Sequence, residues 1–234
     1  EVELDVRTAP ESVGGDWGRY IRGVAHALTA EYPLTRGISG VVSGMLPGGG
    51  LSSSASLILA CLQALAAAND LTLGPWDYVR LTQRVENDFL GLNNGILDQA
   101  SIVFGQRDTL LYIDPRARRV AFLPRSANAP AYTILVAYSG YSRELTTTGY
   151  NTRVDECRAA AHCLAQWQPG AAGRVLSDIT PATYAAHGAA LTTPLARRAR
   201  HFFDECSRVA DGVVAWQAGD LHAFGALMRT SCES

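Results

Sequence analysis

Apolar positions along the chain recur with a helical period in three places. The clearest set is spaced three and four residues apart: Trp17, Tyr20, Ile21, Val24, Ala25 and Leu28. This spacing predicts an amphipathic helix that ends before Pro33. A run rich in Ala and Leu predicts a buried helix from Ser52 to about Ala68. Another helix is expected to begin near Pro75, with apolar side chains on one face: Tyr78, Leu81, Val85 and Phe89.

Short alternating or β-branched segments predict strands around these helices. The four segments are Glu1–Arg7, Gly37–Leu46, Leu110–Ile113 and Thr133–Ala137, with the last two joined across the polar stretch Asp114–Arg119. A loop over Gly91–Gly95 precedes a short helix near Ile96. From about Asn151 onward the pattern is helical, with breaks at Gly170–Gly173 and Thr192–Pro194. Mixed strands and helices followed by helices predict an α+β fold.

Composition narrows the function classes. The chain has 234 residues, is 47% hydrophobic and 18% charged, and carries a net charge of −2. A globular core is therefore expected, without the positive field that attracts nucleic acid or a membrane surface. The longest apolar stretch, Leu57–Ala68, is too short to span a bilayer. Five cysteines without CxxC spacing are typical of reduced thiols, and we expect a cytoplasmic protein.

The segment Leu46–Ser56 (LPGGGLSSSAS) carries the strongest chemical signal. Its three glycines allow positive φ angles and a close approach of the backbone to a ligand. Its serines precede a helix, where they provide caps and free N–H groups suited to a polyphosphate. The segment lacks the GK[ST] ending of a Walker A loop. A flexible Gly/Ser linker is the alternative interpretation, although an apolar helix follows at once.

The sequence PGGGLSSSAS resembles the second signature motif of the GHMP kinases, P-x-G-x-G-L-x-S-S-A. The similarity continues through Glu86, Gly91–Gln99 (GLNNGILDQ) and Tyr138–Cys157 (YSGYSRELTTTGYNTRVDEC). These blocks are similar to galactokinases and more so to plant-type galacturonokinases.

The resemblance implies a GHMP kinase fold with two domains. Residues 1–125 would form an N-terminal, ATP-binding domain that resembles domain 2 of ribosomal protein S5. Residues 126–234 would form a largely helical C-terminal domain. Full-length members also carry an early motif with an arginine and a late glycine-rich motif. The chain has neither, so we expect a fold incomplete at both ends and negligible kinase activity for these 234 residues alone.

The resemblance also implies ATP and Mg²⁺ as cofactors. The expected nucleotide-binding residues are consecutive: Pro47, Gly48, Gly49, Gly50, Leu51, Ser52, Ser53, Ser54 and Ala55. Ser54 and Glu86 align with the family's metal ligands, and Mg²⁺ needs few protein oxygens beside phosphate and water. A solvated helix glutamate is the alternative for Glu86.

Asp98 aligns with the proposed catalytic base of galactokinases. It would accept the proton of an anomeric hydroxyl or orient that group; an N-terminal helix cap or a first-turn acid is the alternative. Gly95 and Tyr150 align with positions that approach the sugar, although Tyr150 would equally suit a core. Arg143 and Arg153 are candidates for binding a sugar carboxylate, or are ordinary surface arginines.

The predicted function is an ATP-dependent sugar-1-kinase. Its partners would be ATP and a small sugar, with galacturonate first and galactose or L-arabinose as alternatives. A non-catalytic sugar sensor is the competing class, because some galactokinase relatives bind both ligands and act through protein partners. The loop serines, Glu86 and Asp98 are all present, which favours the enzyme.

Overall fold

The computed structural model describes residues 3–6, 16–44, 50–137 and 149–234. The chain divides into two compact units. The first contains the described residues up to Arg107 together with Leu111–Phe122 and residues 135–137. The second contains Gly149–Ser234, Leu123–Ile134 and Asp108–Leu110.

The helices of the first unit lie where the apolar periodicity predicts them. They are α1 (Gly18–Thr29), α2 (Ser53–Ala68), α3 (Pro75–Arg84), a π-helical turn (Val85–Phe89) and α4 (Leu97–Phe104). One core joins α1, α2, α3 and the π turn, and its buried members include Val24, Leu28, Ile58, Leu62, Leu65, Leu81 and Val85. The three helices predicted from periodicity are therefore confirmed.

The strand predictions are only partly confirmed. Strand β1 (Thr109–Asp114) pairs with β2 (Arg119–Pro124), and these two form the one sheet found in the described residues. The turn between them lies where it was expected, and the Asp114 carboxylate accepts hydrogen bonds from the main-chain N–H groups of Arg116 and Ala117. The partner of β1 is thus the next segment along the chain and not Thr133–Ala137.

Three of the four predicted strands are not found within the described residues. Residues 3–6, 37–44 and 133–137 have no strand structure. Val41 is 93% exposed and Leu135 is 88% exposed. Their β-branched composition gives a local preference for extended backbone, but a strand also needs a hydrogen-bonded neighbour. The described chain is therefore mostly helical with a small two-stranded sheet.

The second unit is helical, as predicted for the last third of the chain. It contains α5 (Tyr150–Ala165), α6 (Pro181–His187), α7 (Thr193–Ala218) and α8 (Leu221–Glu233), with 3₁₀ turns at Leu176–Asp178 and Gly188–Ala190. Helix α5 packs on α7, and α7 packs on α8. The buried core is formed by Ala160, Ala161, Leu164, Leu176, Ile179, Leu191 and Ala199.

The turn between α7 and α8 packs closely against the loop at Asn128 and Ala129. Gly219 has φ 78°, and a Cβ placed there would lie 2.8 Å from the main-chain nitrogen of Ala129. Gly170 has a similar φ of 83°, but a Cβ there meets nothing within 4 Å. The two glycines share their left-handed backbone and differ in the space around them.

We therefore expect Gly219→Ala to destabilise the protein more than Gly170→Ala. Each substitution carries the left-handed backbone cost of about 1–2 kcal/mol. Gly219→Ala adds a backbone clash, which should lower the free energy of unfolding by about 1–3 kcal/mol more. Denaturant unfolding of both variants measures the difference. Equal losses of unfolding free energy in the two variants would show that the loop at Asn128 and Ala129 does not crowd Gly219.

An ion-pair cluster links Glu31, just after the end of α1, to α3. Both terminal nitrogens of Arg80 donate to the Glu31 carboxylate, at 2.5 and 2.7 Å, and Arg84 donates to it at 2.8 Å. The hydrogen bonds from Arg80 are the main reason that the pKa of Glu31 lies below its ordinary value. Glu31 therefore stabilises the fold above its unfolded-state pKa, and this contribution is lost as the pH falls through the lowered pKa.

Glu31→Gln should consequently lower the free energy of unfolding by about 1 kcal/mol at neutral pH. The difference from wild type should shrink as the pH falls below the ordinary pKa of a glutamate, and disappear once Glu31 is protonated in the folded state too. Asp70→Asn is the control, because the Arg36–Asp70 pair has side chains that are 62% and 77% exposed. A Glu31→Gln effect that persists in acid would rule out the ionic explanation.

Candidate functional site

The amino end of α2 carries an unusual backbone. Gly50 has φ 82°, and Ser52, the residue before the helix, has φ 55° in the left-handed region. Non-glycine residues seldom adopt this conformation, and such residues often lie at functional sites. The predicted loop residues Pro47, Gly48 and Gly49 lie outside the described residues.

The expected serine cap is not formed at this end of α2. The Ser52 side chain makes no capping hydrogen bond, since its left-handed backbone is not the extended conformation of an ordinary N-cap. Its carbonyl instead accepts from the main-chain nitrogen of Ser56, at 3.0 Å. The N–H groups of the first turn, at Ser53, Ser54 and Ala55, are left without a side-chain cap from Ser52. Such a helix end favours an anion.

Glu86 is the buried carboxylate of the first unit. It is 1% exposed and lies in the π turn that follows α3. Its Oε1 accepts from the Ser54 hydroxyl at 3.3 Å, and its Oε2 accepts from the Asn94 amide at 2.7 Å and from the Gln99 amide. The interpretation of Glu86 as a solvated helix glutamate is therefore wrong. Glu86 and Ser54, the two metal ligands implied by the resemblance, are hydrogen-bonded to each other, and their role as ligands stays a prediction.

The electrostatics of Glu86 are set by opposing effects. Burial raises the pKa of its carboxyl above the ordinary value, whereas the hydrogen bonds from Asn94, Ser54 and Gln99 act in the other direction. The negative charge of Asp98 raises this pKa further. Glu86 and Asp98 are therefore close enough to interact, so that two carboxylates share one region of the first unit.

Asp98 lies in the first turn of α4. The N-cap position is occupied by Ile96, which makes no side-chain hydrogen bond, so Asp98 is a first-turn acid and not the cap. Within the described ranges its side chain has no hydrogen-bonded or ion-paired partner. A half-buried carboxylate at a helix amino end, without a structural partner, is available to a ligand.

The two predicted sugar-contacting positions lie in different units. Gly95 is exposed in the first unit, and a Cβ there would meet nothing within 4 Å. Tyr150 is half-buried and begins α5 in the second unit, directly after Gly149 with φ 69°. Arg153 is exposed on α5, whereas Arg143 lies outside the described residues.

Sequence reasoning missed Asn94 and Gln99 as members of this site. Asn94 lies in a polar loop, which alone predicts only a solvated side chain. Gln99 is fully buried in the short helix α4, beside the buried Ala100. A polar side chain on the buried face of a helix needs a partner, and that is the signal that could have identified it.

The donor set around Ser54 and Glu86 fits Mg²⁺ chemically. A serine hydroxyl and a carboxylate are hard oxygen ligands, and Mg²⁺ completes its shell with phosphate oxygens and water. Among the residues that the structure describes, no three His, Cys, Asp or Glu side chains cluster as a metal site. The same part of the chain contains no helix long and apolar enough to cross a membrane.

Comparison with known proteins finds similarity to one kinase family. Residues 19–106 match the model of the GHMP kinases N terminal domain. The chain is 38% identical over 233 residues to the galacturonokinase of Arabidopsis thaliana, covering 95% of this chain and 54% of that protein. It is 39% identical over 216 residues to the galactokinase of Roseiflexus sp. (strain RS-1), covering 92% and 54%.

A solved structure gives the same result. The galactokinase of Lactococcus lactis, in its complex with galactose, superimposes with a TM-score of 0.83 and 28% identity, over 98% of this chain and 59% of that one. The similarity to GHMP kinases of the galacturonokinase and galactokinase group, predicted from the loop motif and the blocks that follow it, is therefore confirmed. The chain spans about half the length of the curated relatives that it matches.

Proposed function

We propose that the intact gene product is an ATP-dependent sugar-1-kinase whose substrate is galacturonate. The partly buried contact between the Ser54 hydroxyl and the Glu86 carboxylate, beside the amino end of α2, is the observation that carries this proposal. The contact puts two hard oxygen ligands next to a helix end suited to phosphate. The similarity to a galacturonokinase supports the choice of sugar.

The loop 47–55 would bind the ATP phosphates. Its glycines let the main chain approach the nucleotide, and the first-turn N–H groups of α2 point toward an anion. The left-handed Ser52 turns the chain from the loop into the helix. These groups hold the phosphates without contributing a charged side chain, so the remaining charge must be neutralised by other groups.

Ser54 and Glu86 would hold Mg²⁺ with the nucleotide. When bound, Mg²⁺ neutralises charge on the phosphate oxygens during transfer. Glu86 provides the negative ligand, and its burial keeps bulk water away from the site. Ser54 is fixed by α2, so the ligand pair joins the phosphate loop to the π turn.

Asp98 would act on the sugar. Its carboxylate accepts the proton of the anomeric hydroxyl as that oxygen bonds to the γ-phosphorus, and the bond from the γ-phosphorus to the β,γ-bridging oxygen breaks to release ADP. Gly95 would let the main chain approach the sugar, and Tyr150 would contact it.

A comparison of sugars tests the substrate. We expect the intact gene product, supplied with ATP and Mg²⁺, to show a higher kcat/KM for galacturonate than for galactose or L-arabinose. Steady-state kinetics with each sugar give the three values. Turnover of galactose alone would contradict the assignment of galacturonate while leaving the kinase assignment intact.

Galactose is the second candidate. The identity to the Roseiflexus galactokinase equals that to the plant galacturonokinase within one percentage point. A uronate differs from galactose by a carboxylate that needs a cation, and arginine is suited to that role. Arg153→Ala should therefore weaken binding of galacturonate and leave galactose unaffected if this arginine binds the carboxylate.

A further inference from the structure

We propose that Asn94 and Gln99 are positioning residues that hold the Glu86 carboxylate in the orientation needed for a metal ion. This inference rests on the proposed function, because it assumes that Glu86 is a metal ligand. It assigns roles to two residues outside the phosphate loop and the general base. The evidence is the pattern of hydrogen bonds around one buried carboxylate.

Both amides donate to the same oxygen of Glu86. The Asn94 Nδ2 and Gln99 Nε2 groups converge on Oε2, whereas Oε1 accepts from just one described residue, the Ser54 hydroxyl at 3.3 Å. Two donors fill the lone pairs of Oε2. They thereby fix the rotation of the carboxylate and leave Oε1, on the Ser54 side, with a lone pair free for a cation.

The neutrality of the two donors matters for this role. An arginine or lysine in the same place would cancel the charge of Glu86 and compete with a metal. Amide donors orient the carboxylate and leave its negative charge in place. The buried carboxylate therefore remains the charged partner of an incoming cation.

The amides are themselves held for this purpose. The main-chain oxygen of Asn94 accepts from the side chains of Gln83 and Asn87, at 3.1 and 3.2 Å, which ties the loop to α3 and the π turn. Gln99 is fully buried in α4, next to Asp98. The two donors thus come from separate elements, and Gln99 links the helix of the proposed base to the proposed metal ligand.

The other ends of these amides are unsatisfied. The Asn94 Oδ1 and Gln99 Oε1 atoms are buried and have no hydrogen-bond partner within the described residues. A buried amide oxygen that accepts no hydrogen bond lowers the stability of the folded protein. Natural proteins keep such groups where a function requires them. The donor ends face the carboxylate, although the acceptor ends remain unpaired.

Gln99→Met in the intact gene product tests the proposal, because methionine keeps the length and removes the donor. The probe is the non-hydrolysable ATP analogue AMPPNP, whose affinity is measured once with Mn²⁺ and once with EDTA. Loss of a group that orients a metal ligand typically costs 10–100-fold in metal affinity. We expect the affinity for Mn²⁺–AMPPNP to fall by about 10–100-fold, and that for metal-free AMPPNP to stay within about twofold.

The controls separate this proposal from its premise. Gln217→Met, at an exposed position of α7, should change neither affinity. If Gln99→Met does not fold, as judged by circular dichroism, Asn94→Leu removes the other donor to the same oxygen and carries the same expectation. Folded variants with unchanged Mn²⁺ dependence, or with equal losses in both measurements, would overturn the positioning role. A wild-type protein whose AMPPNP affinity does not depend on Mn²⁺ would instead contradict the proposed metal site.

Discussion

Asp98→Asn should lower kcat of the intact gene product by roughly 10²–10⁴-fold, the usual contribution of a general base. Asparagine keeps the shape of the side chain and cannot accept the proton of the sugar hydroxyl. Nucleotide affinity should be unchanged, because Asp98 lies outside the phosphate loop. Steady-state kinetics and AMPPNP titration measure the two quantities separately.

Asp77→Asn is a matched control for this substitution. Asp77 is also a first-turn acid, on α3, and its carboxylate accepts from the main-chain nitrogen of Gly74 at 2.9 Å. Its replacement should cost about 0.5–1.5 kcal/mol of stability and leave kcat unchanged. The Asp98 side chain has no such main-chain hydrogen bond within the described residues. Asp98→Asn should therefore lower kcat and leave the stability unchanged. A loss of less than tenfold in kcat for Asp98→Asn would make it a structural acid like Asp77.

Glu86→Gln should change activity and stability in opposite directions. Removing a residue that only orients a metal ligand lowers the metal affinity by up to about 100-fold. Removing the charged ligand itself should therefore lower the metal affinity by at least about 100-fold. The apparent KM for Mg²⁺–ATP should rise accordingly. Stability should increase at neutral pH, because the substitution removes the cost of burying a charge.

The pH dependence follows from the raised pKa of Glu86, which burial causes. A pKa that is higher in the folded state than in the unfolded state stabilises the folded protein at any pH below the unfolded-state pKa. This stabilisation is lost as the pH rises through the folded-state pKa. Glu86→Gln should therefore exceed wild type in melting temperature at neutral pH and match it in acid. Asp88→Asn, in the same π turn with a side chain 66% exposed, should change neither property. A neutral-pH melting temperature below wild type would show that the ionised Glu86 is structural.

The helices and the general place of the site were predictable from sequence because both depend on local patterns. The spacing of Val24 and Leu28, or of Leu81 and Val85, already defines a buried helix face. The motif around Ser54 contains the glycines and serines whose backbone chemistry suits phosphate. The pairing of Ser54 with Glu86 came from the resemblance, since 32 residues separate them.

The errors concern the choice of strand partner, contacts between residues distant in sequence, and backbone shifts within an element. Residues 133–137 have a strand composition, but β1 pairs with the next segment, Arg119–Pro124, whose first residue, an arginine, and last residue, a proline, hide the pattern. The π turn at Val85–Phe89 looks like ordinary helix in sequence. Asn94 and Gln99 become a pair only when the loop and α4 meet at Glu86. The roles of Asp98, Gly95 and Tyr150 stay predictions.

Formation of a sugar 1-phosphate is the most direct test of the central claim. The intact gene product is incubated with ATP, Mg²⁺ and galacturonate, galactose or L-arabinose, and the products are followed by ³¹P nuclear magnetic resonance. We expect ADP and an anomeric sugar phosphate to appear in equal amounts, most rapidly with galacturonate. The Asp98→Asn variant should form them at a greatly reduced rate. Binding of sugar and ATP without any transfer, or hydrolysis of ATP without a sugar phosphate, would contradict the assignment of this protein as a sugar-1-kinase.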